Sequence, residues 1–108
     1  MKELEIAKKI IVEEIEKAGL KLVKIILFGS RARGDCSKDS DWDFYVVVDR
    51  DVSFPEKRKI TAQIRRRLVM KEISSDIIIQ SFSNVERRKN DVGYLTYYVL
   101  KEGVKVYE

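Results

Sequence analysis

Two short stretches of this chain hold residues whose types and spacing can do chemistry. Asp41 and Asp43 are two apart and run into Phe44-Tyr45-Val46-Val47-Val48, a segment of high β propensity. On a strand that spacing sends both carboxylates to one face. Asp76 opens another apolar run, Ile77-Ile78-Ile79, and joins the pair if the two strands are neighbours. Three carboxylates at one edge repel each other and become favourable only around a cation. Hard oxygen donors of this kind suit Mg²⁺, which takes one or two carboxylates, waters and substrate phosphates. Two such ions, about 3.5–4 Å apart, would clamp both oxygens of an in-line phosphoryl displacement.

Gly29-Ser30 supplies the complementary half. A glycine directly after an apolar strand lets the backbone approach a ligand closely. The N–H groups that follow, at the start of a short helix, form an anion site, and the Ser30 hydroxyl adds a hydrogen bond to a phosphate oxygen. Arg31 and Arg33 bring positive charge into the same loop and complete the candidate nucleotide-binding set. Alone, a Gly-Ser turn is a common feature. Followed after ten residues by Asp-Trp-Asp, and later by a third Asp at a strand start, it is far more specific.

These groups need elements to hold them. Leu4, Ala7, Ile11, Ile15 and Ala18 recur at spacings of three and four, which predicts a helix from Lys2 to about Ala18, capped by Gly19. Glu13, Glu14 and Lys17 fall mostly off that stripe. Lys21 to Phe28 reads as a strand buried on both faces. Arg31 to Ser40 is a loop, or a short helix plus loop. Asp41 to Asp49 is the second strand. Ser53 and Glu56 have the spacing of a capping box, opening a helix to about Lys71 with Ile60, Ile64 and Leu68 on one stripe. Ser75 to Gln80 is the third strand. Asn84 to Glu102 forms one or two helices, Gly103 ends them, and Val104 to Tyr107 returns as a short edge strand. The expected fold is an α/β (α+β) sandwich, a small mixed sheet flanked by helices.

Composition narrows the chemistry. The 108 residues suit a single domain spanning 1–108. With no histidine, His-based catalysis and His/Cys zinc sites are excluded, so acid–base work falls to carboxylates, lysine, tyrosine or metal-bound water. Cys36 is the only cysteine, so no intrachain disulfide can form. No apolar run approaches the roughly 20 residues of a membrane span. The N-terminus carries acids and no apolar block, unlike a secretory signal, so a cytoplasmic location is expected. A net charge of +4 fits a phosphate-bearing ligand or an acidic partner, and fits many ordinary domains equally well.

Other conspicuous residues have plainer readings. Trp42 alternates to the face opposite the carboxylates and reads as a packing residue. Cys36 is an incidental loop thiol. Arg65-Arg66-Arg67 and Arg87-Arg88-Lys89 read as solvated helix faces; a nucleic-acid partner is the minority reading because no aromatics are interleaved. Tyr94, Tyr97 and Tyr98 sit at helical spacing, with core packing as the default and an exposed assembly patch, in a homo- or hetero-oligomer, as the alternative.

The stretch Gly29-Ser30-Arg31-Ala32-Arg33-Gly34 through Ser40-Asp41-Trp42-Asp43 resembles the Gly-Ser-x-Ala-Arg-Gly…Ser-Asp-x-Asp signature of the polymerase-β-like nucleotidyltransferases, and in particular their minimal branch, the MNT proteins. Glu102-Gly103-Val104 through Tyr107 is similar to the Glu-Gly-Val…Tyr ending of that branch. The resemblance implies that Ser30 and the Gly29 backbone hold the β- and γ-phosphates of a nucleoside triphosphate, ATP by expectation. It implies that Asp41 and Asp43 bind the metals, and that Asp76 helps hold one of them and activates the acceptor hydroxyl. Arg33 either neutralises triphosphate charge or pins the loop against a nearby carboxylate.

Members of the minimal branch often work beside a HEPN-type protein as a toxin–antitoxin pair, the MNT protein moving AMP from ATP to a tyrosine of the HEPN RNase. The resemblance therefore implies a protein adenylyltransferase with a protein acceptor, since these 108 residues show no segment left over to build an acceptor domain. Two other readings stand beside it. One is a binding module that silences its partner by occlusion. The other is nucleotidyl transfer to a small molecule or to RNA.

Overall fold

A computed structural model describes residues 2–108. Helix α1 spans Lys2–Lys17 and buries Ala7, Ile10, Ile11 and Ile15 along one face. It ends as the sequence predicts: Gly19 takes φ 78°, its N–H donates to the Glu16 carbonyl, and the Leu20 N–H reaches back to Ile15. Those two bonds satisfy carbonyls the last turn would leave open. Glu14 departs from expectation. It is buried, because Arg67 from a neighbouring helix comes over it, Nη1 to Oε2 at 2.9 Å, while Nη2 holds Glu13 at 2.8 Å.

Strand β1, Leu22–Phe28, lies inside the sheet and leads into the one-turn helix α2, Ser30–Arg33. Strand β2, Trp42–Val48, then pairs antiparallel with β1. Ser53 accepts a hydrogen bond from the Glu56 N–H and opens helix α3, Phe54–Val69, with Pro55 in the first turn where its missing N–H costs nothing. This helix carries the chain over to strand β3, Ser75–Ser81, which pairs parallel with β2. A parallel return of this kind requires such a crossover.

The Asn84–Glu102 region resolves into two helices. Ser81 caps the first, α4 (Phe82–Arg88), by accepting from the Asn84 N–H; α5 (Leu95–Glu102) follows. The closing strand β4, Val104–Tyr107, pairs antiparallel with β1. The sheet order is β3-β2-β1-β4, mixed as expected.

Alternation along β2 divides the core. Trp42, Phe44, Val46 and Val48 point into the larger cluster beneath α1 and α3, with Ile11, Ile15, Ile64 and Leu68. Tyr45 and Val47 point to the other face and meet Ile26, Val85 and Val99. Among the described residues that second face is covered only by the two short helices. Here one default fails: Tyr94 and Tyr98 are exposed, and Tyr97 is half-buried. A helix of eight residues buries one narrow stripe, and Thr96 with Val99 takes it. Among the described residues no helix is long and apolar enough to cross a membrane.

Candidate active site

The parallel register sets Asp43 directly opposite Asp76, as it sets Trp42 opposite Ser75 and Phe44 opposite Ile77. On its other side Asp43 faces Phe28, the last residue of β1. Three strand ends thus deliver Gly29, Asp43 and Asp76 to one edge of the sheet. Gly29 shows how tight the junction is. Its φ is 77°, a left-handed conformation that favours glycine, and a Cβ there would collide with Asp43 Oδ2 and stand 3.1 Å from Asp43 Cγ. Backbone and carboxylate therefore share one crowded spot.

Asp43 is half-buried. Burial pushes its carboxyl above the usual aspartate range; the charges of Asp76 and then Asp41 push it further, and Arg33 partly offsets them. Asp41 is exposed, and its Oδ1 accepts a hydrogen bond from the Ser74 hydroxyl at 2.5 Å. Among the described residues no three acidic side chains close into a ready-made cation cage. Like charges stand apart until a cation draws them in. The donor set itself, carboxylate oxygens beside a glycine cradle, fits a hard divalent ion such as Mg²⁺ and rejects a soft one.

Gly29 caps α2, its carbonyl accepting from the N–H groups of Ala32 and Arg33, both at 3.1 Å. The Ser30 and Arg31 N–H groups, first in the turn, have no intrahelical acceptor. They follow directly on Gly29, the residue that abuts Asp43. Gly34, at φ 86°, ends the turn.

The two arginines part company. Arg33 extends from the loop to Asp35, Nε to Oδ2 at 3.3 Å, and its charge still reaches Asp43. Arg31 turns the other way. Its guanidinium lies 4.4 Å above the Trp42 ring, donates to the Ser40 carbonyl from Nη2 at 2.9 Å and from Nε at 3.2 Å, and reaches the Lys38 carbonyl at 3.2 Å. The Arg31 guanidinium is thereby engaged by the 34–40 loop and Trp42, whereas the charge of Arg33 acts on Asp43. Arg31 fastens the 34–40 loop to the strand that follows. Trp42 is buried beneath it and stacks on Phe44, as its alternation predicts.

Sequence reading missed three contributors. Ser74 precedes β3 and meets Asp41 only because the Trp42 N–H pairs with its carbonyl at 2.9 Å; no local pattern announces that. Tyr45, two residues beyond Asp43 on the same face, is buried with its hydroxyl 2.5 Å from Thr96 Oγ1 of α5. A tyrosine inside an apolar strand must find such a partner, which is the signal that was available. Phe28 packs edge-on to Tyr45, ring centres 6.4 Å apart, and walls the site beside Asp43.

Comparison with known proteins agrees with this geometry. The family described as "Polymerase beta, Nucleotidyltransferase" matches residues 8–108. The chain is 48% identical over 40 residues to the Methanocaldococcus jannaschii protein named "Putative protein adenylyltransferase MJ0141"; the match covers 37% of this chain and 40% of that relative. Two solved structures share the fold. One is a toxin–antitoxin crystallised with AMP-PNP, at TM-score 0.52 and 16% identity, covering 90% of this chain and 69% of that one. The other is a mutant of the toxin–antitoxin MntA-HpeT, at TM-score 0.52 and 15% identity, covering 92% and 70%. With nearly its whole length matched and the Gly-Ser and paired aspartate elements meeting at one sheet edge, the chain belongs to the polymerase-β nucleotidyltransferase family.

Proposed function

We propose that this chain is a protein adenylyltransferase that moves AMP from ATP to a tyrosine hydroxyl of a HEPN-type partner, and so acts in the cytoplasm as an antitoxin. The observation that carries the reading is the meeting of Asp43 and Asp76, opposite each other across β2 and β3, with the Gly29-Ser30 turn at the same edge. The name of the partly matching relative supports protein adenylylation. That structures sharing its fold are toxin–antitoxins, one of them with AMP-PNP, supports a nucleotide substrate and a protein partner.

In this reading the Gly29 backbone, the Ser30 hydroxyl and the first N–H groups of α2 hold the β- and γ-phosphates. Arg33, exposed and within electrostatic reach of Asp43, neutralises triphosphate charge. Asp41, Asp43 and Asp76 would hold two Mg²⁺ ions, which when bound supply charge neutralisation at the reacting phosphate. Ser74 orients Asp41. Asp76, the exposed member of the facing pair, accepts the proton of the acceptor hydroxyl. The acceptor oxygen forms a bond to the α-phosphorus, the α–β phosphoanhydride bond breaks, and pyrophosphate leaves on the opposite side.

The test is incubation with labelled ATP, Mg²⁺ and the protein encoded beside this chain. Label should appear on a tyrosine of that protein. No transfer, or equal transfer by the Asp41→Ala/Asp43→Ala chain, would sink the reading. One observation favours a second reading, in which the chain silences its partner by occlusion: Leu95 and Tyr98 on α5 and Tyr94 at its N-cap are exposed. Protection of cells from the partner by the double aspartate mutant would select it.

A further inference from the structure

The chain's positive charge is not spread over its surface. Helix α3 carries six Lys or Arg residues and one Glu, a net +5, while the whole chain is +4, so everything outside α3 sums to −1. Of the six cations only Arg67 is paired, with Glu13 and Glu14. Among the described residues Lys57, Arg58, Lys59, Arg65 and Arg66 have no carboxylate partner. Helix α1, beside it, shows the ordinary alternative: four Lys and five Glu interspersed. Lys57 to Lys59 moreover sit near the N-terminal end of α3, where the helix dipole disfavours cations. Arg66 and Arg67 lie in the last turn, where the dipole favours cations, but local stability gives no reason for Lys57 to Lys59 or for leaving Arg65 and Arg66 without a carboxylate.

The same helix exposes apolar groups. Phe54 is 71% exposed, Val69 62% and Met70 77%, and Val69 and Met70 flank a shallow groove with Ala62, Arg65 and Arg66. Buried Ile60, Ile64 and Leu68 hold the opposite stripe against the sheet, so this surface faces away from the molecule. It also lies on the far layer from the site. Asp43 shares its strand face with Tyr45 beneath α4 and α5, whereas α3 covers the Trp42 face.

We propose that the outer face of α3 is a docking surface for an acidic, apolar-knobbed surface on the partner protein, held away from the site so that the acceptor hydroxyl can still reach it. This rests on the reading that the chain acts on a partner protein. Arg and Met among apolar neighbours are the composition of protein interfaces. A single-stranded nucleic acid would want free aromatic rings, and the one aromatic here, Phe54, has the Arg58 guanidinium 5.7 Å from its ring centre.

The experiment measures binding of the protein encoded beside this chain, with the intact chain and with two variants, Arg65→Glu/Arg66→Glu and Val69→Ser/Met70→Ser. Circular dichroism checks that both fold; all four side chains are at the surface or its rim, so folding should survive. Each variant should bind at least about tenfold more weakly. Wild-type affinity should fall as salt rises from about 0.01 to 0.15 M, over which the screening length shrinks from about 30 to 8 Å. In AMP transfer, KM for the partner should rise while kcat holds. Unchanged affinity in both variants overturns the proposal. So does an RNA oligonucleotide or an anionic phosphatidylserine vesicle that binds through the same residues when the protein does not. Docking through α3 without AMP transfer would sink the enzymatic reading and leave the docking surface standing; transfer without α3-dependent docking would do the reverse.

Discussion

Asp43 of β2 and Asp76 of β3 face each other across a parallel register, on strands whose spacing is about 4.8 Å. Two carboxylates on neighbouring strands, one of them half-buried, oppose folding in the metal-free protein. In the proposed function a cation at this edge would offset that repulsion.

Removing this half-buried charge should therefore stabilise the chain while disabling it. Asp43→Asn is expected to raise the stability of the metal-free protein by about 1 kcal/mol, the range seen when strained functional groups are replaced. Thermal unfolding with and without Mg²⁺ checks this: added Mg²⁺ should raise the midpoint of the wild type and leave the variant unmoved.

The same carboxyl sets a pH dependence. Its folded-state pKa lies above the ordinary 3.8, so its favourable contribution is fully present below that value and is lost as pH rises through the raised one. Metal-free wild type should thus lose stability relative to Asp43→Asn on going from acid to neutral pH. Chemical unfolding of both proteins across that window tests the sign, and parallel curves would show that Asp43 is not the group responsible.

Gly29→Ala should damage activity far more than folding. The new Cβ meets the Asp43 carboxylate, and φ 77° strains any other residue. Backbone strain of this kind costs about 1–3 kcal/mol. Displacing a reacting group by an ångström costs on the order of a hundredfold in rate. Nucleotidyl transfer measured beside the unfolding midpoint separates the two.

Arg31 and Arg33 should fail differently. Arg33→Ala is expected to raise KM for ATP with little change in stability, because its one ion pair, with Asp35, is exposed. Arg31→Ala should lower the unfolding midpoint and loosen the 34–40 loop toward proteolysis, since two carbonyls and the Trp42 face lose their partner. Arg31→Lys should not restore it, because an ammonium cannot supply the planar fork.

A last prediction concerns the strap between β2 and α5. Tyr45→Phe leaves the Thr96 hydroxyl buried without its partner, at a cost of about 1–3 kcal/mol. Tyr45→Phe/Thr96→Val removes both ends and should recover most of that loss. If the single and double variants are equally destabilised, the hydrogen bond is not what holds α5.

Much of this protein is legible in one dimension. The i,i+2 spacing of Asp41 and Asp43 implies a shared face, because strand pleating has period two; in the structure Asp43 pairs with Asp76 and the charges of both Asp76 and Asp41 act on it. Local signals also placed the helix caps at Gly19 and Ser53, since capping bonds join residues only a few positions apart. The glycine after β1 marked a close approach to the backbone, expected for a ligand; that the Asp43 carboxylate stands there is a fact of the tertiary structure. What only tertiary structure decided spans long separations. Glu14 looked like a surface residue until Arg67, on a different helix, came over it. Arg31 and Arg33 are near neighbours in one loop, yet one guanidinium found Trp42 and the other stayed within reach of Asp43. Ser74 reached Asp41, and Tyr45 reached Thr96, across 33 and 51 residues. Periodicity tells a side chain which face of its own element it occupies. Which residue waits on that face is set by how the elements pack, and no short stretch of sequence carries that information.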